Sequence, residues 1–329
     1  MMAFIVRRVV IGAVTVFFVG SVSFFIVSLP AGDYITSYIA ELESYGDDVS
    51  ALGAAALREA YGIDEPIYVQ YWKWATKFVR GNFGFSLGYN KPVADVIGSH
   101  FVNNVILALF TALLTWAMAI PIGVYSALRQ NSIGDYAFTF VGYVGLAVPD
   151  FLLALVLMYF GWLWFDTSIG GLFSNDYILA PWSVAKAVDM LSHLWIPGIV
   201  LGSAGTAGLI RIMRANLLDE LYKPYVVTAR AKGVGELRAV VKYPLRLALN
   251  PFISGIGYML PALVGGSVIV AVVLSLPTLG PLLLTALFTE DMHLAGAILT
   301  LLGALTVIGT LISDILLALV DPRIRIEGT

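Results

Sequence analysis

The residues of this chain whose types and spacing could do chemistry are mostly cations. Eight lysines and arginines fall between Arg211 and Arg246, and the densest stretch reads T-A-R-A-K-G-V-G-E-L-R from Thr228 to Arg238. Read locally, Pro224–Lys232 is a short helix closed by Gly233, and Glu236–Lys242 is a second one stopped by Pro244. Glycine past a helix end supplies the left-handed cap, and proline cannot continue a helix. The first helix carries a face of small side chains, Thr228, Ala229 and Ala231, ending in Gly233, over which another backbone can approach closely. Lys223, Arg230, Lys232, Arg238, Lys242 and Arg246 surround that face, opposed only by Glu236. An ordinary basic loop of a membrane protein meets anionic headgroups. Capped helices with a small face suit docking into a protein groove instead.

The remaining candidates are sparse. Asp150, in L-A-V-P-D-F, lies well inside an apolar segment, where an ionisable group is costly and faces a cavity or a partner. It would contact a cationic ligand group, or form a structural pair at an interface beside Pro149. His100, His193 and His293 each precede an apolar segment, which raises the idea of a metal or haem site. They lie in different loops without the i, i+4 spacing of a helical metal pair, so interfacial or gating roles are expected, and no metal. No G-x-x-x-x-G-K-[ST] run occurs, so this chain does not cradle nucleotide phosphates in the usual way. The absence of cysteine excludes disulfides, iron–sulfur clusters and thiolate metal sites.

Membrane-spanning helices must position these residues. The 329-residue chain is 59% hydrophobic and 12% charged, with a mean hydropathy of +0.87. Its net charge of −3 leaves no nucleic-acid footprint. The alternating ten-residue strands of a closed barrel are absent. Apolar runs of about 20 residues match the helix length that crosses a bilayer. Six are marked: Val9–Pro30, Phe101–Leu128, Tyr136–Phe165, His193–Ile212, Phe252–Leu276 and His293–Val320. The expected fold class is all-α, a polytopic membrane protein with six transmembrane helices. The first segment follows Arg7 and Arg8, is too long for a signal-peptide core and lacks an A-x-A site, so it reads as an uncleaved anchor.

Placing the N-terminus in the cytoplasm puts thirteen of the nineteen basic residues inside, including the eight of the loop, and leaves Arg58, Lys73, Lys77, Arg80, Lys91 and Lys186 outside. Both termini are then cytoplasmic. The chain divides into residues 1–30 (tail and first span), an extracytoplasmic segment 31–100, a five-helix core 101–320 containing the loop 213–251, and a tail 321–329. Within the outer segment, Val49–Tyr61 and Val69–Val79 are expected helices. Tyr71, Trp72 and Trp74 suit either the membrane interface or packing onto helix ends. Gly255, Gly257, Gly265 and Gly266 smooth one side of the fifth segment, for close helix packing or an unobstructed solute path, and Pro261 gives it a possible bend.

The stretch Y-V-V-T-A-R-A-K-G-V-G-E-L-R-A-V-V-K-Y-P-L-R-L-A-L-N-P resembles the EAA-type loop of ABC-importer permeases, particularly the dipeptide/oligopeptide permease family. Tyr225, Thr228, Ala229, Arg230, Ala231, Lys232, Gly233, Leu245, Arg246, Ala248, Leu249 and Pro251 match that family's pattern. L-P-A-G-D (Leu29–Asp33), Y-G-I-D-E-P followed by G-N-F-G-F-S (Gly81–Ser86), G-G-S-V-I-V (Gly265–Val270), L-P-T-L-G-P-L-L (Leu276–Leu283) and L-L-A-L-V-D-P-R-I-R (Leu316–Arg325) resemble its other segments, in order along the whole chain. Departures are Asn82 for aspartate, Ala271 for an acidic residue, Asp150 for serine, and Tyr243–Pro244 for His-Ala. They weaken any guess at the solute.

The resemblance implies the type I ABC-importer transmembrane fold in the bacterial or archaeal cytoplasmic membrane. It implies a second homologous permease, two ABC ATPase subunits that hold the ATP and magnesium, and an extracytoplasmic solute-binding protein. This chain itself would carry no cofactor and no catalytic residue. Tyr225, Thr228, Ala229, Arg230, Ala231, Lys232 and Gly233 would form the coupling helix that docks on an ATPase. The fifth helix, with Pro261, Gly265, Gly266 and Ser267, would line the path together with Asp150, which could receive a peptide amine. Asp314 and Asp321 are explained by capping and pairing with the loop arginines. Peptide is the expected solute, with oligosaccharides, opines, glutathione or metal chelates as alternatives inside the family. An ion-coupled secondary transporter would need inverted repeats and more intramembrane acids, and a redox membrane subunit would need paired histidines or cysteines.

Overall fold

Long uninterrupted apolar stretches here become long helices, because a backbone in lipid must satisfy its own hydrogen bonds. The computed structural model describes residues 2–29, 65–165, 170–265 and 268–320. The helices are α1 (Met2–Val27), α2 (Ile67–Val79), α3 (Val93–Leu128), α4 (Ile133–Ala147), α5 (Asp150–Phe165), α6 (Val184–Leu221), α7 (Pro224–Ala231), α8 (Glu236–Lys242), α9 (Pro244–Ala248), α10 (Asn250–Gly265), α11 (Val268–Val273), α12 (Leu279–Phe288) and α13 (Met292–Val320). A two-stranded antiparallel hairpin, β1 (Phe85–Ser86) with β2 (Lys91–Pro92), precedes α3.

Among the described residues four helices, α1, α3, α6 and α13, are long and apolar enough to cross a membrane. The third apolar segment is not one straight span: α4 and α5 meet at a bend of 101°. Pro149 causes the break, since it disfavours helical backbone in the residue before it, and Val148 is extended at φ −85° and ψ 122°. The fifth expected segment corresponds to α10 and α11, of 16 and 6 residues, on either side of positions 266–267. The expected helix Val49–Tyr61 lies outside the described residues.

Small residues set the packing. Lipid tails are as apolar as leucine, so helices associate through close contact rather than through exclusion of water. A Cβ at Gly12 would stand 2.5 Å from Val307 Cγ1, and one at Gly303 would stand 2.7 Å from Val19 Cγ1, which fixes α1 on α13. A Cβ at Gly123 would stand 2.6 Å from Met213 Cβ and one at Gly198 2.7 Å from the Phe110 ring, which fixes α3 on α6. Gly309 of α13 approaches the backbone of Gly257 in α10, where an added Cβ would lie 2.9 Å from the Gly257 Cα. Gly309→Leu is therefore expected to push α10 off α13, since the neighbour is backbone and cannot turn aside. Overpacking of this kind costs about 1–3 kcal/mol. Thermal melting of the detergent-solubilised protein checks it, and an unchanged melt rejects the close crossing.

The helix ends sort into two ends of the molecule. At the loop end, Met213, Leu217 and Leu221 of α6, Val240 of α8, Ala248 of α9 and Phe252 of α10 form one buried cluster. The N-terminal part of α1 and the C-terminal part of α13 lie at this end too, joined by a salt bridge of 2.8 Å between Arg8 and Asp314. At the opposite, hairpin end, Val93, Ile97, Leu279, Leu282, Leu294 and Ile298 form a second cluster beneath the hairpin and α12. Here α2 lies against the end of α1: Tyr71 stacks on Phe25, Trp74 meets Phe24, and the Tyr71 and Ser21 hydroxyls are 2.7 Å apart. Of the three aromatics, Tyr71 and Trp74 thus pack onto a helix end, while Trp72 stays exposed.

Candidate functional site

The basic loop is an ordered pair of short helices. Pro224 opens α7 at a position where its missing N–H is not needed. Gly233, at φ +80°, closes the helix; its N–H donates to the Arg230 carbonyl at 2.9 Å, and the Val234 N–H donates to the Ala229 carbonyl at 3.2 Å. Those two bonds are the Schellman arrangement, which requires a left-handed residue at that point. Arg230 then pairs with Glu236 at 3.2 Å, tying α7 to α8. The Tyr225 hydroxyl donates to the Glu220 carboxylate at the end of α6.

The small face of α7 is divided. Val226 and Ala229 are buried against the chain's own body, so Ala229 belongs to the inner side of α7. Tyr225, Thr228, Arg230, Ala231, Lys232 and Gly233 remain exposed, and no atom lies within 4 Å of where a Gly233 Cβ would be. Beside them a concavity of about 360 Å³ is lined by Lys232, Gly233, Val234, Gly235, Arg238, Lys242 and Tyr243. Among the described residues, Lys232, Arg238 and Lys242 have no carboxylate within salt-bridge distance. This end of the chain therefore presents small residues ringed by uncompensated positive charge.

The other candidates are dispersed. Asp150 stands in the first turn of α5, just past the bend, half-buried and facing the Ser203 side chain of α6. In the fifth segment, α10 runs through Pro261 to Gly265, while Gly266 and Ser267 lie outside the described residues. The two other glycines of that segment separate: Gly257 is pressed against α13, and Gly255 faces open space. Asp314 pairs with Arg8 of α1 rather than with a loop arginine, and Asp321 lies outside the described residues. His100 and His193 each place Nδ1 against the carbonyl one turn back, at 2.9 Å from Val96 and 2.8 Å from Asp189. The ring of His293 packs on Gly84. Among the described residues no three His, Asp or Glu side chains converge as a metal site would need.

Three polar centres escape a reading by pattern. Asp135, at the start of α4, is gripped from both sides by Arg214 of α6, with Nε to Oδ1 at 3.2 Å and Nη2 to Oδ2 at 3.0 Å. Asp291 is buried at the start of α13, and accepts from the Ser86 hydroxyl at 2.5 Å, the Gly88 N–H at 3.3 Å and the Leu294 N–H at 3.0 Å. Lys186 is buried with its ammonium donating to the Ala180 carbonyl at 2.7 Å and lying 4.7 Å from the centre of the Phe173 ring. Two carried a local signal: Asp291 is an aspartate directly before an apolar run, the preferred cap residue, and Asp135 ends the capping pattern S-I-G-D before another.

A capped basic loop on a bundle of long apolar helices is assigned its family by sequence comparison. Residues 119–326 match the family described as binding-protein-dependent transport system inner membrane component. The chain belongs to this family. Residues 1–118 match its N-terminal companion, the membrane component N-terminal region of the same systems. This permease is 36% identical to the oligopeptide transport system permease protein AppB of Bacillus subtilis, over 99% of this chain and the whole of that relative. It is 31% identical to the oligopeptide transport system permease protein OppB of Haemophilus influenzae, over 99% of this chain and the whole of that one. It is 29% identical to the glutathione transport system permease protein GsiC of Escherichia coli K12, over 99% of each. The permease is thus a membrane-spanning component of a binding-protein-dependent ABC importer, a type I importer transmembrane fold in the inner membrane, and such a system implies ATPase and binding-protein partners.

Proposed function

We propose that this permease forms half of a peptide translocation path, with a second homologous permease as the other half, and that α7 and α8 receive the stroke of a separate ATPase. The observation that carries the coupling role is the exposed, capped face Tyr225–Thr228–Ala231–Lys232–Gly233, tied by the Arg230–Glu236 pair to α8, which the buried cluster seats on α6 and α10. Two such permeases would meet two ATPase subunits, which hold ATP and magnesium. The loop end and both termini would face the cytoplasm, as the basic residues favour. The three cations of the concavity, each without a carboxylate partner among the described residues, favour an ATPase surface bearing carboxylates. ATP-driven closure would draw the two loops together, open the path toward the binding protein, and hydrolysis would reopen the inner side.

The test is ATP hydrolysis by the whole complex in proteoliposomes, with and without solute-loaded binding protein, for wild type and for Gly233→Trp. Loss of stimulation only in the variant supports the reading, and full stimulation in the variant rejects it. For the solute, the peptide and glutathione names of the relatives favour a peptide-like molecule, whose amine the Asp150 carboxylate would attract. Asp150→Asn is expected to lower uptake of a labelled tripeptide severalfold, and to leave uptake of its N-acetylated form unchanged. Equal effects on both would remove the amine contact.

A further inference from the structure

We propose that the Asp135–Arg214 ion pair carries movement of the basic loop into the bent span α4–α5, which makes both residues positioning residues for transport. The inference rests on the coupling role proposed above for that loop.

The way α4 is held leads to it. Of its residues, Asp135 alone is buried. Elsewhere α4 meets the body through glycines, Gly142 opposite Ala207, Gly145 opposite the Ser203 carbonyl and Gly134 against the Tyr125 ring, and through two ring contacts, Phe138 edge-on to Tyr125 at 5.8 Å and Tyr143 beneath Arg211 at 6.0 Å. Contacts of this kind, small or non-directional, permit sliding. The carboxylate of Asp135 does not, since it takes Arg214 Nε and Nη2 and also accepts the Asn131 N–H at 3.0 Å. The Ser132 hydroxyl caps the same turn by accepting the Asp135 N–H at 3.2 Å, and Asn131 sits at φ +59° to make the turn tight. A paired guanidinium and carboxylate fix direction as well as distance.

Arg214 stands on the other side of the link. It lies on α6 between Met213 and Leu217, which belong to the buried cluster holding α8, α9 and α10. The same helix runs on to Leu221, directly before α7. A push on the loop therefore moves Arg214 with α6, and Asp135 passes that motion to α4. Beyond the 101° bend comes Asp150, so displacement of α4 re-aims the first turn of α5. Breaking the pair leaves the loop seated on its body and the glycine contacts in place, but lets α4 lag behind.

The experiment uses the full complex with its ATPases and binding protein, reconstituted with wild type, Asp135→Asn, Arg214→Lys and Gly233→Trp. The readout is the ratio of binding-protein-stimulated to basal ATP hydrolysis. A second readout is the distance between spin labels at Trp162→Cys on α5 and Val188→Cys on α6, both exposed sites in a chain without native cysteine. Both link variants are expected to keep basal hydrolysis while the ratio falls about tenfold, the size of an ordinary coupling between sites. The ATP-dependent change in label distance seen in wild type should vanish with it. Arg214→Lys retains the charge and removes only the two-pronged grip, so it decides the matter if Asp135→Asn fails to assemble. A wild-type ratio and distance change in assembled Arg214→Lys, with Gly233→Trp uncoupled, overturns the link and spares the loop. If Gly233→Trp itself stays coupled, the loop's role falls and the link falls with it.

Discussion

Gly233→Trp is expected to bring binding-protein-stimulated ATP hydrolysis down to the basal level, while Gly233→Asn keeps most of the stimulation. The pair of variants separates two effects that one variant confounds. Gly233 holds a left-handed backbone at φ +80°, and any side chain there costs about 1–2 kcal/mol, least for asparagine. Both variants incur that strain at the end of α7, but neither clashes with its own chain, because no atom lies within 4 Å of the new Cβ. Only tryptophan adds bulk on the outer side of the small face. Central contacts in protein interfaces are worth about 2 kcal/mol or more each, and an indole between α7 and the proposed ATPase groove would remove several together. If both variants lose stimulation equally, the cap is what matters, and α7 acts through its shape rather than through a close-fitting surface. If neither loses it, α7 is not docked there.

How much of this was readable beforehand depended on whether the signal was local. The two loop helices were, since Pro224, Gly233 and Pro244 are punctuation that acts on neighbouring residues. Helix α8 spans Glu236–Lys242, the range its flanking glycine and proline imply. Helix lengths were less readable. Apolar runs starting at Phe101 and His193 become helices that start at Val93 and Val184, and α6 runs nine residues beyond Ile212. The extra turns carry Asp95, His100, Lys186, Asp189 and Arg214, which a hydropathy window discards although the helix continues through them. The bend was overlooked for the opposite reason: Pro149 is punctuation of the same local kind, but the residues on both sides are apolar, so the hydropathy run continues across it. Side-chain partnerships were least legible. Asp135 and Arg214 are separated by 79 positions and Ser86 and Asp291 by 205, and no spacing rule joins residues that only the fold brings together. The Asn82 departure loses its puzzle for a local reason, since its Oδ1 accepts the Gly84 N–H at 3.0 Å, a role either asparagine or aspartate fills.

Asp291→Ala should be the most damaging substitution at the hairpin end, with little effect on the loop. Its carboxylate is the common acceptor for three donors, from the hairpin and from the first turn of α13. Removing a helix cap costs about 1 kcal/mol, and each donor stranded in a buried site adds about 1–3 kcal/mol. With the Leu294 bond as the cap and the Ser86 and Gly88 donors stranded, these sum to roughly 3–7 kcal/mol, a large share of what holds any fold together. The damage should be directional. The hairpin has two residues in each strand, too few to stand alone, so without Asp291 it should leave α13 and expose the ring of His293 that now packs on Gly84. Limited proteolysis should then cut between Gly81 and Pro92 in the variant while sparing the wild type, and the melting temperature of the purified protein should drop. Asp291→Asn is the sharper comparison: it retains one carbonyl oxygen for the Leu294 N–H or the Ser86 hydroxyl but not both. An intermediate loss in that variant identifies the carboxylate as a shared acceptor. A loss as full as alanine's shows that the negative charge itself, beside the N-terminal end of α13, is what the hairpin end requires.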